Sequence, residues 1–482
     1  MKPTLQLTLS LAALATTASA DLTTTIDPSS NRGTWEGWGT SLAWWAAAFG
    51  SRDDLADAFF TTKTTTLSGT SVPGLGLNIV RYNAGASSTT SYNGSSMAVS
   101  PKMIPSRQIE GYWTNWASAS PSSSSWNWNA DSAQRNMLWK ARDRGANIFE
   151  LFSNSPMWWM LNNHNPAGSD DGSSDNLQSW NYNQHAVYMA TVAKYAADNW
   201  GFKFRSVNPF NEPTATWWNG KTGTQEGCHF EVKTQASVIG YLRSELNTRG
   251  LSGTIISASD ESYYDQAVST FNGLGATALG QVARINVHGY QYADGKRDTL
   301  YGLASGKGKK LWQSEYGEGD ATGQRLASNL LLDMRWLRPT AWVYWQAVDG
   351  DGWGLVTGDN GAKSISGVTQ KYFVLAQFAR HIKPGMRILD GGSDYAVAAY
   401  DSANRKLVIV AVNWGSAQYL NFELGKFKTG GVDGAVVKRW TTQIGSGARY
   451  VAASDTKISG TKFWSKFEKN AVQTFEVEGV VL

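Results

Sequence analysis

The side chains best placed to do chemistry in this 482-residue chain are two glutamates, each closing a short apolar run. The first run is Phe204-Arg205-Ser206-Val207-Asn208-Pro209-Phe210-Asn211-Glu212-Pro213, where proline stops the strand and fixes the backbone just after the carboxylate. The second, Leu311-Trp312-Gln313-Ser314-Glu315-Tyr316-Gly317, repeats the pattern further along. Paired carboxyl groups at strand ends can protonate a leaving oxygen and attack an anomeric carbon, which is glycosidase chemistry. The 23 tryptophans suit the same chemistry, because flat aromatic faces stack on the C–H faces of sugars. Trp44-Trp45, Trp158-Trp159 and Trp217-Trp218 fall near strand ends or in loops, and Trp45 and Trp158 are taken as sugar-binding candidates. More than half of the tryptophans are expected to be core or rim packing instead. Either glutamate alone reads equally well as a helix cap or an arginine partner; the pair, set among aromatics, favours sugar cleavage.

Something must hold these groups, and the surrounding sequence alternates between strand and helix. Apolar or β-branched runs lie near Gly37–Trp45, Leu77–Asn83, Asn147–Ser153, Arg205–Phe210, Thr254–Ala258, Arg284–Tyr290, Lys310–Glu315 and Ala341–Trp345. Helical patterns over Asp131–Arg144, His185–Asn199 and Leu326–Leu337 separate several of them. Eight alternations predict an α/β fold, a (β/α)8 TIM barrel with its chemistry at the carboxyl ends of the strands. After His381 the runs Ala396–Tyr400, Lys406–Asn413, Tyr419–Leu424, Val436–Thr441 and Val472–Val477 follow without helical period, which predicts an antiparallel β-sandwich. The leading Leu22–Ile26 run is expected to join that sandwich. The implied organisation is a signal peptide over 1–20, an N-terminal strand segment over 21–34, a catalytic barrel over 35–380 and a sandwich domain over 381–482.

Met1-Lys2, an apolar stretch from Leu5 to Ala15 and a terminal Ala18-Ser19-Ala20 read as a secretory signal, so a secreted, extracellular protein is expected. Asn93-Gly94-Ser95 is a glycosylation sequon in a polar loop, which makes Asn93 the candidate glycan site. A net charge of +4 without clustered like charges argues against nucleic acid as a partner and for a neutral substrate. No run is long and apolar enough for a membrane span. The single cysteine, Cys228, rules out an intrachain disulfide and reads as a buried thiol. No His/Asp/Glu grouping has ligand spacing in the sequence and no phosphate-binding glycine loop follows a strand, so neither metal nor cofactor is expected.

Asn211-Glu212-Pro213 resembles the corresponding motif of retaining barrel glycosidases with acid/base on strand four and nucleophile on strand seven. With the longer run Asn208–Pro213 that contains this motif, three further segments occur in order: Gly37–Trp45 and Ser153–Met160 before it and Gln225–Cys228 after it. With the trailing sandwich, the set resembles glycoside hydrolase family 30 over nearly the whole chain. Within that family it is most similar to fungal secreted endo-β-1,6-galactanases. The resemblance implies a retaining endo-glycosidase acting on β-1,6-linked galactan, such as arabinogalactan side chains, with Glu212 as acid/base and Glu315 as nucleophile. It also implies that Asn211 bonds the sugar 2-hydroxyl. A β-1,6-glucanase or xylanase of the same family is the alternative. Glucuronoxylanases of the family grip glucuronate with a basic side chain after strand eight, and Ala347–Asn360 holds no Lys or Arg.

Position suggests further roles. Arg81, ending strand two, can keep the nucleophile ionised or serve a barrel salt bridge. Tyr290, ending strand six, can bond Glu315, while His288 is a site residue or a satisfied barrel residue. Trp345 would floor the sugar site. Glu226 either binds substrate or braces its loop, and Glu261 is a spare carboxylate. The expected partner is a polysaccharide and the expected state a monomer. A non-catalytic carbohydrate-binding protein is the competing reading, and it has no need of two opposed carboxylates.

Overall fold

The computed structural model describes residues 21–482; the signal expected over residues 1–20 lies outside the described residues. Strands Gly37–Ser41, Ile79–Asn83, Ile148–Phe152, Ser206–Asn208, Ile255–Glu261, Val282–His288, Lys310–Tyr316 and Ala341–Gln346 close into a barrel, here numbered one to eight. All neighbours pair in parallel, and strand eight returns to strand one with Ala341 opposite Gly37. Each coincides with one of the runs read from the sequence. Strands one, two and three are buried at every position, as expected for parallel strands covered on both faces. Close approach explains Gly39: a Cβ there would lie 2.6 Å from the Ile79 carbonyl oxygen on strand two.

Strand one ends sooner than its apolar run. The chain leaves it at Ser41, and Trp45 opens the short helix Trp45–Phe49 with its indole donating to the Ser41 carbonyl at 2.7 Å. The helices expected over Asp131–Arg144 and His185–Asn199 occupy Ser132–Asp143 and Tyr182–Asn199. The third, Gln324–Leu332, passes into a π turn over Asp333–Leu337. A small sheet of Val348–Asp349, Val356–Asp359 and Ser364–Val368, unforeseen in the sequence, follows strand eight before the last barrel helix, Gln370–Ala379.

The C-terminal part is built from antiparallel strands in two layers. A six-stranded sheet runs in the order Arg387–Leu389, Ala396–Asp401, Lys406–Asn413, Ala471–Val477, Val436–Gln443, Val451–Lys457. The second layer joins Leu22–Thr25, Gln418–Glu423 and Lys462–Phe467, with the N-terminal strand parallel to its neighbour. Strand Lys406–Asn413 shows why its sequence is almost continuously apolar. Leu407, Ile409 and Ala411 face the core between the two layers, while Val408, Val410 and Val412 join the barrel's core. Both faces are buried, so the polar alternation of a half-exposed strand is missing. Among the described residues no helix is long and apolar enough to cross a membrane.

Candidate active site

The ends of the barrel strands surround a cleft of about 560 Å³, and Asn211, Glu212, Tyr290, Glu315 and Trp345 all line it. Regular pairing of strand four stops at Asn208, and the chain then turns over the barrel mouth. Glu212 sits at φ 46°, in the left-handed region that non-glycine residues rarely occupy. Its N–H donates to the Asp260 carbonyl at 2.7 Å, and the Trp218 indole donates to its own carbonyl at 3.0 Å. These bonds hold the strained residue and aim its carboxyl group inward. Glu315 lies within regular strand seven.

One carboxyl oxygen from each glutamate and one ring nitrogen of His288 all lie within 4.8 Å of one another. Glu315 Oε2 accepts from the Arg81 guanidinium at 3.0 Å, and Oε1 from the Tyr290 hydroxyl at 2.9 Å. His288 Nδ1 lies 3.2 Å from Glu212 Oε1 and 3.4 Å from Glu315 Oε1, and its Nε2 faces Asp260 Oδ1 at 3.5 Å. His288 is thus buried in the barrel and touches both carboxyl groups.

Beneath the cleft the barrel interior is ionic. Arg81 Nε donates to Glu150 Oε1 at 3.0 Å and a second guanidinium nitrogen pairs with Asp260. Glu150 pairs in turn with Arg284, whose guanidinium lies 3.4 Å from the centre of the Trp312 ring. Burial opposes the charge on Arg81, yet Asp260, Glu150 and Glu315 more than offset it. Burial likewise works against the proton on His288, but Glu315, Asp260 and Glu212 raise it to about 10. Burial would raise Asp260; Arg81 and His288 bring it down to about 2. Glu315 goes the other way: burial pushes it up to about 7, although His288 and Arg81 pull it down. Burial and the adjacent Glu315 push the Tyr290 hydroxyl well above its usual value, so it remains a donor. The network thus joins three cations, Arg81, Arg284 and His288, to four carboxyl groups, Glu150, Asp260, Glu212 and Glu315. One proton shared among the carboxyl groups leaves the interior neutral, which is the cheapest state of a buried network.

Folding also assembles a chelate-like trio, Glu212, His288 and Glu315, that sequence spacing did not reveal. The fit to a metal is poor: His288 holds its proton well above neutrality, and Arg81 already occupies one face of Glu315.

Other candidates land elsewhere. Trp45 is core, edge-on to Phe59, and it is the neighbouring Trp44 that lines the cleft. On a helical turn adjacent side chains point about 100° apart, so only one of the pair can face the site. Trp158 is likewise buried, packed edge-on to Trp116 and His164 and away from the cleft wall. Glu226 braces rather than lines: its Oε1 accepts from Ser87 Oγ at 2.6 Å and the Ile109 N–H at 3.0 Å, tying the loop after strand four to the loop after strand two. Burial pushes its carboxyl up to about 7. Glu261 accepts from Thr214 and Thr270 outside the cleft. Cys228 is buried, and burial pushes its thiol up. Asn93 is exposed in the turn Tyr92–Ser95.

Sequence reasoning missed Asp260 and Glu150, whose partners come from distant strands. It also missed the cleft residues Arg107, Tyr263, Tyr292, Asp349 and Trp353. The segment after strand eight lacks Lys and Arg, but the loop after strand two carries the cation Arg107 into the cleft.

Residues 21–278 match the model of O-glycosyl hydrolase family 30. The chain is 59% identical over 474 residues to the endo-β-1,6-galactanase of Hypocrea rufa, covering 98% of each chain. Among solved structures it resembles a conserved exported protein from Bacteroides fragilis (TM-score 0.75, 18% identity, 94% of this chain and 99% of that one). It also resembles the catalytic domain of xylanase C from Talaromyces cellulolyticus (TM-score 0.70, 19% identity, 94% and 99%), and these two likenesses bear on the fold alone. A family match across more than half of the chain, on a barrel whose mouth carries two opposed glutamates, makes this protein a member of glycoside hydrolase family 30.

Proposed function

We propose that the protein is a secreted, retaining endo-glycosidase that cleaves β-1,6-linked galactan, with Glu212 as acid/base and Glu315 as nucleophile. The near full-length identity to the Hypocrea rufa galactanase carries the substrate. The carboxyl separation supports retention, which uses groups about 5–5.5 Å apart, whereas inversion needs about 6.5–9.5 Å to admit a water. A Glu315 oxygen attacks C1 of the bound galactose as the bond from C1 to the departing O6 breaks, and Glu212 passes its proton to that oxygen. The product is a galactosyl ester on Glu315. Water then attacks C1, Glu212 takes its proton, the ester bond breaks and the β configuration returns. Arg81 and Tyr290 hold the attacking carboxylate by bonds to its two oxygens. Asn211 Oδ1 is buried at the cleft without a partner, which suits an acceptor for the sugar 2-hydroxyl.

The reactive form carries one proton on the two glutamates, and coupled carboxyls lose protons as a unit. Burial raises Glu315 to about 7, so the last proton of the pair leaves as pH rises through about 7. The acid is then lost. At lower pH a second proton silences the nucleophile. kcat/KM is expected to be bell-shaped, with an acidic optimum and a falling limb near neutrality. A rate still climbing above pH 8 would contradict the pairing.

Substrate choice is tested by parallel digestion of arabinose-stripped arabinogalactan, β-1,6-glucan and glucuronoxylan. Short galacto-oligosaccharides are expected early from the first, and longer oligomers should react faster than short ones, because remote subsites supply transition-state binding. Glucose oligomers from the glucan with galactan untouched would overturn the reading. Because Arg107 supplies a cleft cation, the xylan arm decides a question that the segment after strand eight leaves open.

A further inference from the structure

We infer that Trp217 and Tyr263 form the platform that carries the departing half of the polysaccharide. This rests on the galactanase reading and adds a direction to the cleft. The two ends of the cleft differ in kind. On the strand-eight side Trp44 and Trp345 meet edge-on at 5.6 Å, and both are buried, 1% and 7% exposed. They form a closed corner. Trp217 is 42% exposed, and it is the one large exposed apolar side chain that also lines the cleft among the described residues. The ring packs against Trp218 at 6.0 Å and 63°, and the surface it leaves exposed borders the cleft.

Its place in the chain says which part of the substrate that face meets. Trp217 rides on the turn that follows Glu212, in which Ala215 N–H donates to the Glu212 carbonyl at 3.1 Å and the Trp218 indole to the same oxygen at 3.0 Å. Trp218 is itself wedged against Gly227, where a Cβ would lie 2.1 Å from its ring. The exposed ring is therefore mounted on an anchored loop. Tyr263, on the neighbouring loop after strand five, lies 6.0 Å from it at 55°. In a retaining reaction the acid/base protonates the leaving oxygen, so the departing chain leaves past Glu212, while the sugar that is attacked stays over Glu315. Trp217 and Tyr263 stand on the departing side, and Trp44 and Trp345 on the other. Galactopyranose presents one apolar C–H face, which stacks on an aromatic ring. A 1,6-linkage adds a rotatable bond between rings, so an open shelf suits the departing chain better than a fitted slot.

A contact with the leaving chain acts only while that chain is present. Its loss falls on formation of the galactosyl ester and spares the hydrolysis of that ester. The test compares β-1,6-galactotetraose with β-galactobiosyl fluoride, whose leaving group cannot stack. Trp217→Ala is expected to lower the ratio of kcat/KM, tetraose over fluoride, roughly tenfold, the scale of one aromatic contact. Trp217→Tyr should restore most of it. Methyl β-1,6-galactobioside, whose leaving group needs the proton of Glu212 but is too small to stack, separates the two roles: a comparable loss there would mean that Trp217 merely positions Glu212, and an unchanged tetraose-to-fluoride ratio would mean that no sugar rests on it; either overturns the platform. If the wild type leaves galactan intact, the galactanase reading fails instead. The same comparison is then made with the oligomer and glycosyl fluoride of the polymer it does cleave.

Discussion

Glu315→Gln is expected to abolish turnover, a loss of roughly a million-fold on the scale of removing a covalent nucleophile. The amide keeps the shape of the side chain: its one oxygen can still accept from Arg81, and its NH2 can donate to the Tyr290 hydroxyl oxygen, the hydroxyl proton turning away. It cannot form the galactosyl ester. Arg81 keeps Glu150 and Asp260 as partners, so no buried cation is stranded and the fold should survive. An unchanged melting transition together with retained galactan binding is the control. Glu315→Ala supplies the sharper test. The cavity it opens lies on the face of C1 opposite the leaving group, so added azide should enter there and yield the α-galactosyl azide. Wild-type activity in the glutamine variant, or a β-azide from the alanine variant, would overturn the nucleophile assignment.

Glu212→Ala is expected to lower turnover of galactan by roughly 10² to 10⁴, the range of a lost general acid. The loss should depend on the leaving group. A dinitrophenyl galactobioside needs no proton to depart, so its ester should still form at near wild-type rate and then accumulate, because no base remains to activate water. A burst of dinitrophenol followed by a slow phase is the expected trace. Azide needs no base and should relieve the slow phase, giving the β-galactosyl azide. The two alanine variants thus give products of opposite configuration, and the same anomer from both would refute the division of roles. His288 links the two, since it contacts both carboxyl groups.

Much of the architecture could be read from the sequence because the barrel strands are buried on both faces and so appear as plain apolar runs bounded by breakers. Val451–Lys457 escaped for the opposite reason. It is an edge strand of the six-stranded sheet, exposed at most positions, and its Val-Ala-Ala-Ser-Asp-Thr-Lys sequence has no apolar face to announce it. Lys462–Phe467 does alternate, with Phe463, Ser465 and Phe467 inward, but Trp464 on the outer face hides the pattern. The two glutamates were legible because a strand end followed by a turn is a local property. The role of each aromatic was not. Trp44 and Trp45 are adjacent in sequence and alike in chemistry, and only the turn into the helix decides which one reaches the cleft.

The sequence by itself determined which residue types stand at the barrel mouth: a Glu after strand four, a Glu in strand seven, an Arg in strand two, and a His and a Tyr at the end of strand six. Their protonation was decided only by the tertiary structure. Arg81, Glu150, Asp260, Arg284, His288 and Glu315 come from strands two, three, five, six and seven, and each one's charge state depends on the others. Barrel closure takes these groups out of water together. Desolvation makes every lone charge costly and every contact between opposite charges strong. That is why Glu315 rises to about 7 while Asp260, which is just as deeply buried but sits against Arg81 and His288, falls to about 2.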